Sequence, residues 1–144
     1  LRFTIFRFGT IFGVTPGIRF HTAVNKFCYQ AAVGEPLTIW KNVYNQNRPY
    51  LDVKDGIRAI FFIIKNDIFN NEIYNVLTDN YKVSTITNYI KKIKKIKIKY
   101  VDSYILNQTS YNVSNKKFKN LGFVFKGNIQ KQIYNTLKLL RNII

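Results

Sequence analysis

The segment from Gly34 to Asp55 constrains the fold of this chain most. It runs Gly34-Glu-Pro-Leu-Thr-Ile-Trp40, then a short polar loop, then Arg48-Pro-Tyr-Leu-Asp-Val-Lys-Asp55. Leu37 to Trp40 reads as a short apolar strand, Asn42 to Pro49 as an Asn-rich loop, and Tyr50 to Val53 as an extended stretch. A helix follows, running to about Lys65, with Asp52 or Asp55 placed to cap it or to face the positive end of its dipole. Strands and a helix alternating at this short spacing mark an α/β protein. The same segment sets a lone arginine, Arg48, close to the single tryptophan, Trp40. Arginine offers phosphate a planar, permanently charged, bidentate fork. Indole offers a flat face, so the pair suits a pocket for a planar base joined to phosphate.

The rest of the chain extends the alternation. Phe3 to Phe8 reads as a buried strand, with Gly9 and Gly13 punctuating a loop after it and Pro16-Gly17 as a turn. His21 to Val33 reads as a helix stopped by Gly34. Glu72 to Thr78 alternates as a strand does. Ser84 is placed to cap a helix that continues through the lysine-rich stretch Tyr89 to Ile96, with Ile86, Ile90 and Ile93 on one face. Lys97 to Val101 reads as a half-buried strand, Ser114 to Asn120 as a short helix, and Asn128 to about Arg141 as a final helix striped by Ile129, Ile133, Leu137 and Leu140. No repeat or linker divides the 144 residues, which fit one domain. The strands are too few for a complete doubly wound domain.

Composition narrows the function classes. With 23 Lys and Arg against 7 Asp and Glu, the net charge is +16. Such a surface attracts polyanions without reading sequence, and RNA is therefore one candidate partner. The lysines arrive with an excess of Asn, Ile, Tyr and Phe, which favours a solvated basic surface, and the lysines from Lys91 to Lys99 read as one such face. Apolar residues make up 47% of the chain, too many for a disordered segment. No apolar run reaches the roughly 18 to 20 residues that span a bilayer, so no membrane partner is expected. The single Cys28 cannot form an internal disulfide, and no signal-peptide layout opens the chain, which together point to the cytoplasm. The lone His21 and Cys28 read as structural residues. No metal-ligand spacing, Gly-x-Ser-x-Gly motif or P-loop is found. The absence of methionine and the opening directly on a strand-like segment suggest a fragment, a processed chain or an incomplete gene.

Three segments together, Arg7-Phe-Gly-Thr-Ile-Phe-Gly13, Gly34 to Trp40, and Arg48 to Asp55, carry a likeness. They resemble the C-terminal half of the NAD-dependent epimerase/dehydratase family, the extended short-chain dehydrogenases that act on nucleotide sugars. The likeness runs from Phe3 to the last helix and is strongest between Arg7 and Ile64. It implies an α/β fold, the C-terminal part of a Rossmann-type extended short-chain dehydrogenase: its last sheet strand plus a small α/β substrate-binding lobe. Residues 1–144 would form this single substrate-binding region, without the N-terminal dinucleotide-binding domain. The resemblance also implies site residues. Thr10 stands where a polar side chain touches the sugar or its phosphate, and Thr38 and Trp40 match the segment lining the base. Arg48 matches the arginine that grips the diphosphate. Asn25 and Lys26 lie on the helix flanking the cleft.

The chain departs from the family pattern at several points. Asp52 stands where histidine is common, and Lys54 replaces a frequent aspartate. The stretch Asp102 to Ser110 lacks a second phosphate-binding arginine. The Gly-rich cofactor loop and the catalytic Tyr-x-x-x-Lys pair with its serine would precede Leu1. Two chance versions of the pair exist, Tyr50 with Lys54 and Tyr134 with Lys138. The resemblance therefore implies a nucleoside-diphosphate sugar as ligand, NAD bound mainly by the missing half, no catalytic residue in this chain, and no turnover by the chain alone. A separate Rossmann-domain chain completing a split enzyme, or a homodimer, would be its protein partners. The competing reading is a truncated, basic enzyme relative recruited as a non-catalytic RNA-binding or ribonucleoprotein component.

Overall fold

Short alternating segments fold into the expected α/β arrangement. The computed structural model describes residues 1–102 and 109–141. In chain order the elements are β1 (Thr4–Phe8), β2 (Thr10–Phe12), α1 (Ala23–Val33), β3 (Leu37–Trp40), β4 (Asn47–Asp52), α2 (Val53–Lys65), β5 (Glu72–Val76), β6 (Asp79–Lys82), α3 (Val83–Lys91), β7 (Ile98–Val101), α4 (Lys116–Lys119) and α5 (Ile129–Arg141). A 3₁₀ turn, Lys41–Val43, leads out of β3.

The strands form three small sheets. β1 and β5 pair in parallel with Phe6 opposite Tyr74, so the last sheet strand has a parallel neighbour. β4 lies between β2, parallel to it, and β6, antiparallel to it. β3 and β7 pair in parallel, Trp40 opposite Val101. Side chains alternate across a strand, and β4 uses this to divide the molecule. Tyr50 enters a core shared by α1, α3, α5 and β3, while Leu51 enters a second core built by α2, β5, Phe118 and Phe123.

Local chemistry sets most of the ends. Gly34 stops α1 with a left-handed φ of 82°, and its amide returns to the last carbonyls of the helix. Asp52 caps α2 by accepting from the Lys54 amide, and Asp55 lies in the first turn. Cys28 is fully buried, as its helical context implied.

Four elements differ from the sequence reading, β2, β4, β6 and α3, and strand pairing explains all but the end of α3. The segment between Gly9 and Gly13 is strand β2, held against β4, rather than a plain loop. Asp79 to Lys82 forms β6 by pairing with Asn47 to Tyr50, and β4 begins inside the expected Asn-rich loop. That same pairing delivers the chain into α3 at Val83, with Lys82 in the cap position instead of Ser84. α3 ends at Lys91 within the lysine run, where like charges three and four residues apart oppose further helix. Ile86 and Ile90 are buried, and Ile93, beyond the helix end, is exposed. Among the described residues no helix is long and apolar enough to cross a membrane.

Candidate functional site

Thr10, Lys26, Thr38, Trp40 and Arg48, drawn from β2, α1, β3 and β4, line a single cavity of about 390 Å³. Parallel pairing of β2 with β4 sets Thr10 opposite Tyr50. Thr38 and Trp40 are two residues apart on β3 and so share a face. Leu37 and Ile39, on the alternate positions, anchor that strand in the core.

Arg48 is held firmly. Its Nη1 donates to the carbonyls of Asn47 at 2.8 Å and Thr109 at 2.7 Å, and its Nη2 donates to the Gln46 side-chain oxygen at 2.7 Å. These partners are neutral, so they fix the fork's direction without cancelling its charge. Among the described residues no carboxylate pairs with Arg48 or Lys26. Two cations in a half-buried hollow without a counter-charge make a seat for an anion, and a guanidinium suits phosphate best.

Thr38 is clasped at two points by Gln30. Its amide donates to the Gln30 side-chain Oε1 at 3.2 Å, and its hydroxyl accepts from the Gln30 side-chain Nε2 at 3.0 Å. Because the hydroxyl oxygen already accepts, its own proton stays available to donate into the cavity. Trp40 keeps 37% of its surface exposed, enough for a ring to lie on. Tyr50, only 2% exposed, closes the inner wall. Burial pushes its hydroxyl from 10.0 up to about 12, with Arg48 pulling in the other direction. It therefore stays a neutral donor at physiological pH.

Asn25 does not line this cavity. It is buried at 3% exposure, where it accepts from the Gly13 amide at 3.3 Å and donates to the Arg19 carbonyl at 3.1 Å. Those bonds tie the connection after β2 to α1. Sequence reasoning missed Tyr111 and Gln46 in the wall and set aside His21, whose exposed side chain also borders the cavity. Tyr111 has no local signal: it reaches the site because its amide donates to the Asn47 carbonyl at 3.4 Å. Residues 103–108, within the stretch that lacks a second arginine, lie outside the described residues.

The family departures at β4 have a structural account. Asp52, 2% exposed, accepts from the Lys54 amide and, at 3.2 and 3.0 Å, from the side-chain nitrogen of Gln132. Asp55, 1% exposed, accepts from Arg58 at 2.8 Å, Thr78 at 2.9 Å, and the amides of Lys126 and Gly127 at 2.9 and 2.8 Å. The two carboxylates thus lock α2 to the start of α5. They also decide against a dinucleotide at this helix. The N-terminus of α2 follows a parallel strand, yet a carboxylate already takes its amide hydrogen and would repel a pyrophosphate.

The Tyr-x-x-x-Lys look-alikes fail on placement. Tyr50 lies inside strand β4 while Lys54 lies in the first turn of α2, so they are not one helical turn apart. Tyr134 and Lys138 line a larger hollow of about 660 Å³ beside Ala32 and Lys94, which contains none of the proposed ligand residues. Among the described residues no group of His, Cys, Asp and Glu could hold a metal ion.

Comparisons with known proteins place this geometry in context. Residues 1–76 match the model of the NAD dependent epimerase/dehydratase family. The chloroplastic UDP-sulfoquinovose synthase of Spinacia oleracea is 37% identical over 75 residues, 51% of this chain and 15% of that protein. The UDP-glucose 4-epimerase of Thermus thermophilus, solved with NAD, superposes with a TM-score of 0.84 at 19% identity, over 100% of this chain and 48% of that one. That of Thermotoga maritima, solved with UDP-glucose, gives 0.85 at 21% identity, over 99% and 47%. The chain thus spans less than half the length of these relatives while sharing their fold. Since the family model covers more than half of it, the chain belongs to the NAD-dependent epimerase/dehydratase family.

Proposed function

We propose that this chain supplies the substrate-binding part of a nucleotide-sugar epimerase or dehydratase and holds a nucleoside-diphosphate sugar in the cavity at β2, β3 and β4. The observation that carries this reading is the convergence of Thr10, Lys26, Thr38, Trp40 and Arg48 on one hollow in which, among the described residues, no carboxylate pairs with either cation. In it Arg48 takes the diphosphate, Trp40 stacks on the base, and Thr38 donates to the base edge. Thr10 touches the sugar and Lys26 adds charge. Asn25 acts indirectly, by fixing the turn between β2 and α1. The relatives solved with UDP-glucose and NAD support a nucleotide-sugar ligand and an NAD-linked reaction for the complete enzyme. The cofactor and the proton-transfer groups come from a dinucleotide-binding half, so the chain by itself binds without turnover.

Titration calorimetry with UDP and UDP-glucose tests the reading. Binding that is lost in Arg48→Ala supports it. Equal binding in the variant, or none in either protein, overturns it. If generic RNA binds instead, in a strongly salt-dependent way, the recruited ribonucleoprotein component replaces the enzyme part.

A further inference from the structure

Lys131, Tyr134, Lys138 and Arg141 recur along α5 at helical spacing, so they share the face turned away from the core. Tyr134 is 53% exposed and lines the hollow of about 660 Å³ together with Lys138, Arg141, Lys94 and the exposed Ile93. A second hollow of about 340 Å³ shares Ile93 and Tyr134 with the first and adds Lys131, Asn128 and Gln130. The two make one groove along α5, about 15 Å long from Lys131 to Arg141. No acidic residue lines either hollow, and no ion pair among the described residues involves Lys94, Lys131, Lys138 or Arg141. Lys94 Nζ donates to the Ala32 carbonyl at 2.9 Å, a neutral partner that aims the ammonium without cancelling its charge. Helix electrostatics accounts for two of these cations. Lys138 and Arg141 lie in the last turn, where positive charge suits the negative end of the dipole. Lys131 lies in the first turn, where it opposes the dipole, and Lys94 lies outside any helix.

We infer that this groove is a second binding site, for single-stranded RNA, with Tyr134 stacking on a base and Lys94, Lys131, Lys138 and Arg141 on the phosphates. An exposed aromatic ring set between cations holds an unpaired strand, because every base offers a face to stack and every link carries a phosphate. A duplex keeps its bases stacked on one another and leaves the tyrosine without a partner. The Gln130 amide can both donate and accept, which suits contact with a 2′-hydroxyl. A bilayer fits less well, since a flat headgroup layer meets the rim of a concave groove and leaves its floor empty. Among the lysines from Lys91 to Lys99, Lys94 alone lines the groove, so the site is distinct from the solvated basic face beside it. No residue lines both this groove and the cavity at β2, β3 and β4, so the two can be filled at once.

Fluorescence anisotropy of a labelled oligouridylate, about twelve nucleotides long, tests the site on the whole chain. Log K should fall against log salt with a slope near about −3, for four phosphates at roughly 0.7 each. Lys138→Gln combined with Arg141→Gln should reduce that slope by about 1.4. Tyr134→Ala should weaken binding about 5- to 100-fold and leave the slope in place. It should not weaken binding of inorganic polyphosphate, which has no base to stack. Lys116→Gln combined with Lys119→Gln removes the same charge from exposed positions on α4 and should change affinity by less than about twofold. Circular dichroism verifies that each variant keeps its fold. Equal losses from the α4 and α5 pairs, or unaltered RNA binding in Tyr134→Ala, overturns the site in favour of diffuse charge. Equal affinity for oligodeoxythymidylate, or binding to phosphatidylserine vesicles but not to RNA, overturns it as well. UDP titration separates the two proposals: RNA binding through α5 without UDP binding sinks the nucleotide-sugar cavity alone, and UDP binding without RNA binding sinks this groove alone.

Discussion

The guanidinium carbon of Arg48 lies 5.0 Å from the centroid of the Tyr111 ring. The aromatic face adds a cation–π contact to the hydrogen bonds that already orient the fork. A positioned arginine that still carries its full charge is prepared for an anion before one arrives, which lowers the ordering cost of binding.

Arg48→Ala should weaken UDP binding by about 10- to 100-fold, as expected for losing a charge-assisted pair of bonds. Arg48→Lys should recover little of it, because a point charge cannot reproduce the planar fork. Calorimetry reads both. The melting temperature of each variant should stay close to that of the parent, since the side chain sits in a cavity wall and not in either core.

Trp40 is the single tryptophan and lines the cavity, so its emission reports on the site alone. UDP should quench or shift that emission, and UDP-glucose should do the same. Tyr134→Ala, in the separate hollow, should leave the response intact. An indole signal indifferent to saturating nucleotide would remove the stacking role.

The Asp55 hub should be the most fragile point of the fold. Asp55→Ala strands Arg58, the Thr78 hydroxyl and the amides of Lys126 and Gly127. Breaking such a buried set costs about 3–5 kcal/mol, a large share of a typical stability of roughly 5–15 kcal/mol. At Gly127 an added Cβ would lie 2.5 Å from the Asp52 Cβ and 2.7 Å from the Asp55 Oδ2. Gly127→Ala should therefore destabilise by at least about 1–3 kcal/mol. Urea denaturation measures both.

Alkali should unfold the protein in a defined window. Burial raises Cys28 from 9.0 to about 12 and, foremost among its causes, Tyr50 from 10.0 to about 12. A raised native value means the unfolded chain ionises first. The contribution is complete below pH 9.0 and is lost as pH climbs towards about 12. Urea midpoints should be flat from neutrality to the lower limit and fall above it, with Cys28→Ala flattening the early part of the decline. At neutral pH, Cys28 should resist thiol reagents until denaturant is added.

Local chemistry made much of this legible in the sequence. The Gly34 stop, the Asp52 cap and the apolar stripe of α5 are decided by residues within a turn of one another, so spacing reveals them. The Gly34–Trp40 and Arg48–Asp55 segments carried the family and the arginine for the same reason. Contacts between distant segments were not legible. β2 and β6 exist because β4 offers them edges, and their own residues lack a strand signal strong enough to stand alone. Tyr111 enters the cavity wall through a loop that only the folded chain brings to Asn47. Asn25 shared its helix with Lys26, yet helix rotation turned one amide into the interior and left the amine at the cavity. Sequence by itself determined most of the elements and several of their caps, because those energies are short-range. Tertiary packing decided which side chains share the hollow and which apolar faces stay bare, because those depend on where distant segments meet.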